Sequence, residues 1–236
     1  MMSEIIRIDL NGVNSYLAKC ESGFILFDTG GHIVMDQQFT NRRELLLKEL
    51  EAAGCLEHNL KLIVLTHGDN DHSCNAAYLR ERFNTKIAMH NGDRELVENP
   101  TLEKWMDSYQ YNSVELQQMF SQYKDVIVQV TQKTLDEFER FSPDILLEDG
   151  FNLLPYGLDA KVIHVPGHTK GSIAVLTESG ALIAGDTFAN NGKPSPAPNA
   201  TDFPQLADSI DKLKNLKIEM VYPGHGEPFR FEDAIF

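Results

Sequence analysis

A chain of 236 residues, 42% hydrophobic and 24% charged, is long enough to bury a sizeable core and too ordinary in composition to be fibrous or disordered, so it reads as one domain over residues 1–236 with an insertion. Its 35 acidic residues against 21 basic ones give a formal charge of −14, a field that repels nucleic acid and anionic membrane surfaces; neither is an expected partner. Cys20, Cys55 and Cys74 follow no framework spacing, Met1–Leu10 lacks the apolar run of a leader, and no stretch reaches membrane-spanning length, which together predict a cytoplasmic protein.

Ile5–Leu10, Ser15–Lys19 and Phe24–Asp28 predict three short strands in a meander, parted by Asn11-Gly12 and Glu21-Ser22-Gly23. From Asn41 the spacing of Leu46, Leu47, Leu50 and Ala53 predicts a helix that covers this sheet, with Gly54 as its stop. Leu62–Leu65 is wholly apolar, the pattern of a strand buried on both faces, and it runs directly into His67-Gly68-Asp69-Asn70-Asp71-His72. Ala76, Leu79 and Phe83 repeat at helical spacing, and Lys86–Met89 predicts the next strand. Between about residues 92 and 142 the pattern is helical throughout, marking an inserted subdomain. Aromatic residues at such spacing ordinarily pack helix on helix; the alternatives are a cap that brings Trp105, Tyr109 and Tyr123 to a substrate pocket, or a homodimer contact. Strands resume at Phe151–Leu154, Ala160–Val165, Ser172–Thr177 and Ala181–Ala184, so the second half resembles the first. Asp202 begins a helix with Phe203, Leu206, Ile210 and Leu213 on one face, and Ile218–Tyr222 is a last strand leading into Pro223-Gly224-His225-Gly226.

Two imidazoles and two carboxylates within six residues, immediately after a buried strand, exceed what a turn requires, and metal ligation accounts for them. Imidazole suits zinc and iron, while carboxylates suit harder ions and can bridge. His67, Asp69 and Asp71 alternate along an extended loop, and His72 follows as the chain turns into a helix near Ser73. His168 in Pro166-Gly167-His168-Thr169-Lys170-Gly171-Ser172, Asp186 in Gly185-Asp186-Thr187, and His225 recur at strand ends beside glycine turns. These seven residues are enough for two divalent ions that share Asp186. Ser73, Thr169 and Thr187 either hydrogen-bond the ligands or cap turns. His90 faces either the pocket or solvent, and Tyr222 either lines the site or completes its strand.

These four blocks, in this order and at these separations, resemble the metallo-β-lactamase superfamily over nearly the whole chain. The resemblance implies an α/β fold, a four-layer αββα sandwich of two mixed β-sheets. It also implies one metal on His67, Asp69 and His168, a second on Asp71, His72 and His225, and Asp186 bridging them. Asp28, in Asp28-Thr29-Gly30-Gly31, resembles the strand-end support of the metal loops, and Asp71 takes the catalytic role of orienting a bridging hydroxide. Asp69 stands where the family has the second histidine of H-x-H-x-D-H. Its charge favours a harder ion and raises the pKa of bound water, which leaves zinc, iron and manganese open; if it points away, only the second site is filled. Chain length and the Pro166–Ser172 block are most similar to glyoxalase II-like hydrolases, without a counterpart of their glutathione-binding carboxyl-terminal domain. The expected function is therefore hydrolysis of a small ester, thioester or lactone, other than the glutathione thioester, through a metal-bound hydroxide. The alternatives are a di-iron redox protein lacking its own flavin domain, since flavodiiron relatives carry an acidic residue at the place of Asp69, and a non-enzymatic metal-bound sensor.

Overall fold

The computed structural model describes residues 4–32 and 39–236; Met1–Ser3, part of the segment searched for a leader, lie outside the described residues. The predicted meander forms as β1 (Ile5–Asp9), β2 (Asn14–Cys20) and β3 (Gly23–Phe27), each antiparallel to the next. α1 (Arg43–Ala52) then carries the chain over the sheet, so that β4 (Leu60–Val64) pairs parallel to β3; a parallel pairing needs such a crossover. A single helical turn, α2 (Asn70–Ser73), and α3 (Ala76–Phe83) make the second crossover, to β5 (Ile87–His90). Three helices follow, α4 (Arg94–Glu98), α5 (Leu102–Met106) and α6 (Val114–Glu137), before β6 (Ile145–Leu147) closes the first six-stranded sheet in the order β1-β2-β3-β4-β5-β6.

The second sheet comprises β7 (Ala160–His164), β8 (Ile173–Thr177), β9 (Ala181–Asn190), β10 (Pro194–Pro196), β11 (Met220–Gly226) and β12 (Phe229–Arg230). Its order is β12-β11-β9-β8-β7 with β10 on β9, and it is likewise mixed, since β11 runs parallel to β9 while β8 runs antiparallel to it. α7 (Phe203–Lys214) begins where expected, with the Asp202 carboxylate accepting from the Gln205 backbone N–H at 2.9 Å.

Strand periodicity sorts the side chains into three cores and so produces the four expected layers. Phe24 and Leu26 of β3 pack outward with Leu46, Leu50 and Leu79 of α1 and α3, whereas Ile25 and Phe27 point inward. They meet Val162 and Val175 of the other sheet, whose neighbours Ile163 and Ala174 turn to Leu206 and Ile210 of α7. Both sheets are thus covered on both faces, which is why their strands read as apolar runs. No helix among the described residues is long and apolar enough to cross a membrane.

One expected strand is not formed, one strand was not anticipated, and the alternatives for Trp105 are resolved in favour of packing. Phe151–Leu154 forms no strand: Asn152 makes one isolated bridge with Lys161, and the chain then coils through Leu154–Tyr156, because Pro155 cannot donate to a ladder and Gly157 turns left-handed with φ of 92°. β6 was not anticipated, being three residues with no period to detect. Trp105 packs helix on helix and does not face a pocket: it is 0% exposed, edge-on to Phe138 at 5.1 Å, and its indole N–H donates to the Leu96 carbonyl at 3.1 Å. Trp105→Ala is therefore expected to destabilise the fold by ~3–5 kcal/mol, as a buried aromatic truncation does, in urea unfolding followed by circular dichroism.

Candidate metal centre

The site lies along one edge of the sandwich, where the loops after β3, β4 and β7 meet Asp186 within β9 and His225 near the end of β11. Asp28 ends β3 in a left-handed conformation, φ 59°, which Asp tolerates better than most residues. Its Oδ1 accepts from the Thr66 backbone N–H at 2.7 Å, and its Oδ2 accepts from the Thr66 hydroxyl at 2.7 Å and from His72 Nδ1 at 2.9 Å. α2 supplies the turn that brings His72 inward, and its carbonyl is held by the backbone N–H and hydroxyl of Thr29 at 2.7 and 2.9 Å.

The histidine tautomers follow from their outer partners. The Thr66 hydroxyl spends its proton on Asp28, so at 3.0 Å it accepts from His67 Nδ1. His168 Nδ1 donates to the Asn199 carbonyl at 3.0 Å, and His225 Nδ1 to the Gly12 carbonyl at 2.6 Å. With every Nδ1 held from outside, the four Nε2 atoms converge on the interior, the arrangement that metal-binding imidazoles adopt. The last ligand loop is carried by the first hairpin: the Pro223 carbonyl accepts from the Tyr16 hydroxyl at 2.7 Å and from Asn14 Nδ2 at 2.9 Å. Gly224 must lack a side chain, because a Cβ there would overlap the Asp186 carboxylate and press on His72.

All seven predicted ligand residues come together. His67, Asp69 and His168 offer atoms within 4.8 Å of one another, as do Asp71, His72 and His225. Asp186 sits between the two triads, its carboxylate oxygens 3.3 Å from His72 Nε2, 3.1 Å from His225 Nε2 and 3.7 Å from His168 Nε2. Asp69 does not point away: its Oδ2 is 3.2 Å from His168 Nε2 and 3.9 Å from His67 Nε2. His67 Nε2, His168 Nε2, Asp69 Oδ1 and Asp186 Oδ1 are buried with no hydrogen-bond partner among the described residues. Leaving such an atom unsatisfied costs about 1–3 kcal/mol, and a divalent cation satisfies nitrogen and oxygen donors together, so the donor set fits a metal. Asp28, His67 and His72 also cluster, but both Asp28 oxygens are already committed to hydrogen bonds.

Electrostatics agree. Burial, then the neighbouring His72, push His67 down to about 4. For His168 burial works the same way but is outweighed by the adjacent Asp69 carboxylate, 3.2 Å from Nε2, and by the charge of Asp186, which lift it to about 9. Burial likewise opposes but does not prevent the rise of His72 and His225 beside Asp186 and Asp71, or the fall of those two carboxyls beside the same imidazoles.

The other expected residues divide. Asp28 supports His72 as anticipated. Ser73 donates to the Gly68 carbonyl at 3.2 Å, Thr169 donates to Asp93 Oδ2 at 2.6 Å, and Thr187 has no hydroxyl partner among the described residues, so none of the three bonds a ligand side chain. Tyr109 lines the cavity over the site, a space of about 290 Å³, together with Val13, Tyr111 and Ile127. His90 instead stacks on His164 at 3.9 Å, Tyr222 packs edge-on to Tyr16 at 5.5 Å, and Tyr123 is 51% exposed; like Trp105, none of them reaches the cavity. Asp93 was missed, although it ties the two ligand loops together by accepting from the Gly68 and Gly171 backbone N–H groups at 2.9 and 2.6 Å as well as from Thr169. Ser108, whose hydroxyl donates to Asp69 Oδ2 at 2.8 Å, was missed as well.

A family model described as the metallo-beta-lactamase superfamily matches residues 8–225. The chain is 27% identical over 200 residues to a probable metallo-hydrolase of Methanocaldococcus jannaschii, with 83% of each chain covered. It is 29% identical over 244 residues to the hydroxyacylglutathione hydrolase GloC of Haemophilus influenzae, covering 94% of this chain and 91% of that one. The crystal structure of the BLEG-1 B3 metallo-beta-lactamase superposes with a TM-score of 0.68 at 20% identity, covering 98% of this chain and 95% of the other, a likeness of fold.

The raised imidazoles set a pH dependence for the metal-free protein. A histidine whose folded value lies above its ordinary ~6.5 stabilises fully below that value, and the contribution disappears as pH rises through the folded one, about 9 for His168. His67, shifted down, is neutral in both states above ~6.5 and adds no slope there. In chelator, thermal unfolding should show stability falling from pH 7 to pH 9, while added metal restores more at pH 9, where fewer protons must be displaced; rising metal-free stability over that range would contradict this charge arrangement.

Proposed function

The chain belongs to the metallo-β-lactamase superfamily and is a metal-dependent hydrolase of that type, and on that premise we propose that it hydrolyses a small, uncharged ester, thioester or lactone using two divalent ions. His67, Asp69 and His168 would hold one ion and Asp71, His72 and His225 the other, with Asp186 shared. When bound, such ions supply Lewis acidity toward a carbonyl and acidify water. The observation that carries this reading is the convergence of four outward-anchored imidazoles and three carboxylates, with His67 Nε2, His168 Nε2, Asp69 Oδ1 and Asp186 Oδ1 buried without partners among the described residues.

The chain's own residues assign the remaining roles. The Asp71 side chain is 28% exposed, against 9% for Asp69 and 10% for Asp186. Its greater exposure supports Asp71 as the carboxylate that orients an attacking water and accepts its proton. Val13, Tyr109, Tyr111 and Ile127 offer an apolar and aromatic wall for the acyl or leaving group. Among the described residues no lysine or arginine lines that cavity, whereas Asp69, Asp71 and Asp186 do, which disfavours a phosphodiester. The same observation bears on glutathione thioesters, whose free carboxylates would find no cation in the wall. The expectation based on a missing carboxyl-terminal domain loses its footing, because a relative named hydroxyacylglutathione hydrolase is matched over 91% of its length. Zinc, iron and manganese all suit a site of four imidazoles and three carboxylates, and Asp69 moves the preference toward the harder ions.

The test is a substrate panel run on protein stripped with chelator and reloaded separately with zinc, iron(II) or manganese(II). Ester, thioester or lactone turnover should disappear on stripping and return on reloading, with a phosphodiester left intact. Preferred cleavage of the phosphodiester, or oxygen-dependent spectral change of an iron form without ester turnover, would overturn the proposal. His72→Ala and Asp186→Ala should each lose bound metal and reduce turnover by more than the ~10–100-fold typical of removing only an outer partner of a ligand.

A further inference from the structure

Asp69 stands between two cavities. One holds Asp71, His168 and Asp186. The other, about 190 Å³, is lined by Asp93, Lys104, Ser108, Thr169 and Lys170 as well as Asp69. An aspartate side chain has two rotatable bonds, and a turn about them would swing this carboxylate away from His168. Lys104, in the lining of the second cavity, is engaged by Glu95 and the Asn99 carbonyl at 2.9 and 2.7 Å.

One contact opposes that turn. The Ser108 hydroxyl donates to Asp69 Oδ2 at 2.8 Å, the same oxygen that lies 3.2 Å from His168 Nε2. Ser108 is itself 2% exposed and fixed by its backbone: its carbonyl accepts from Asn199 Nδ2 at 3.2 Å, and the Asn199 carbonyl is the acceptor for His168 Nδ1. Residues 110–112 pair with 198–200 through Ala200 N–H to the Gln110 carbonyl at 3.0 Å and Asn112 N–H to the Pro198 carbonyl at 3.1 Å. A single ribbon, half from the helical insertion and half from the loop before α7, thus anchors two members of one triad, Asp69 through a serine hydroxyl and His168 through a backbone carbonyl.

We infer that Ser108 is the positioning residue that holds Asp69 toward His67 and His168, so that the metal site containing this carboxylate depends on a hydroxyl from the helical insertion. This rests on the two-ion reading of the centre. It also gives a physical role to the insertion besides its aromatic wall.

The experiment is equilibrium metal titration of stripped native protein, Ser108→Ala and Ser108→Thr against a chromophoric chelator, using zinc and manganese, with the melting temperature of each metal-free protein measured in parallel. Native protein should take up two ions. Ser108→Ala should bind one of them ~10–100-fold more weakly, the range for loss of an outer partner of a ligand, with the other affinity unchanged and the metal-free protein still unfolding cooperatively. Ser108→Thr, which keeps the hydroxyl, should recover the native titration. Two native affinities in Ser108→Ala would overturn the inference while leaving the two-ion reading intact. Equal weakening of both sites with a lowered metal-free melting temperature would show a general structural role and overturn it too. Uptake of fewer than two ions by the native protein would overturn the two-ion reading and this inference together.

Discussion

Asp28 accepts three hydrogen bonds in a position only 3% exposed, and the state of two imidazoles follows from them. By taking the Thr66 proton it makes that hydroxyl an acceptor, so His67 must present its proton outward; by taking His72 Nδ1 directly it does the same for the second ring. The strand ends are fastened by the same group, since its Oδ1 binds the backbone where β4 gives way to the ligand loop and its own N–H donates to the Val64 carbonyl at 3.0 Å. Buried polar atoms are tolerated only when satisfied, and Asp28 satisfies the outer side of His67, through Thr66, and of His72, whose inner atoms a bound cation would satisfy.

The two sheets then act as a frame that brings remote segments to this point. The first supplies Asp28 and the run from His67 to His72, the second supplies Asp186 and His225, and the tip of the first hairpin returns through Gly12, Asn14 and Tyr16 to hold His225 and its strand. Asp93, at the start of the insertion, joins the loops that carry Asp69 and His168. The helical insertion is therefore part of the centre's support as well as of its wall, with Trp105 packing it onto the core and Ser108 and Tyr109 extending from it to the site.

The candidate ligands were legible because six residues concentrate four of them after an apolar strand and the other three stand beside glycine turns, a local pattern that chemistry makes rare. The layers were legible for a similar reason, since strands buried on both faces are apolar throughout. What escaped detection acts across the chain: Asp93, Ser108, Asn14 and Asn199 are single polar residues without local pattern, and each matters only through a partner tens to hundreds of residues away. Trp105, Tyr109 and Tyr123 have the same helical context in the sequence, yet one is core, one lines the cavity and one is exposed, because the direction of each depends on how the insertion docks. Phe151–Leu154 has strand composition, but Pro155 and Gly157 close the ladder before it can form.

The central claim is that two triads joined by Asp186 hold two ions, with Asp69 as a true member of the first. Anomalous diffraction from crystals of the metal-loaded protein tests it most directly. Two peaks are expected, one among His67, Asp69 and His168 and one among Asp71, His72 and His225, with the Asp186 carboxylate between them. A single peak confined to the second triad, with Asp69 turned toward Lys104 and Lys170, would contradict the account.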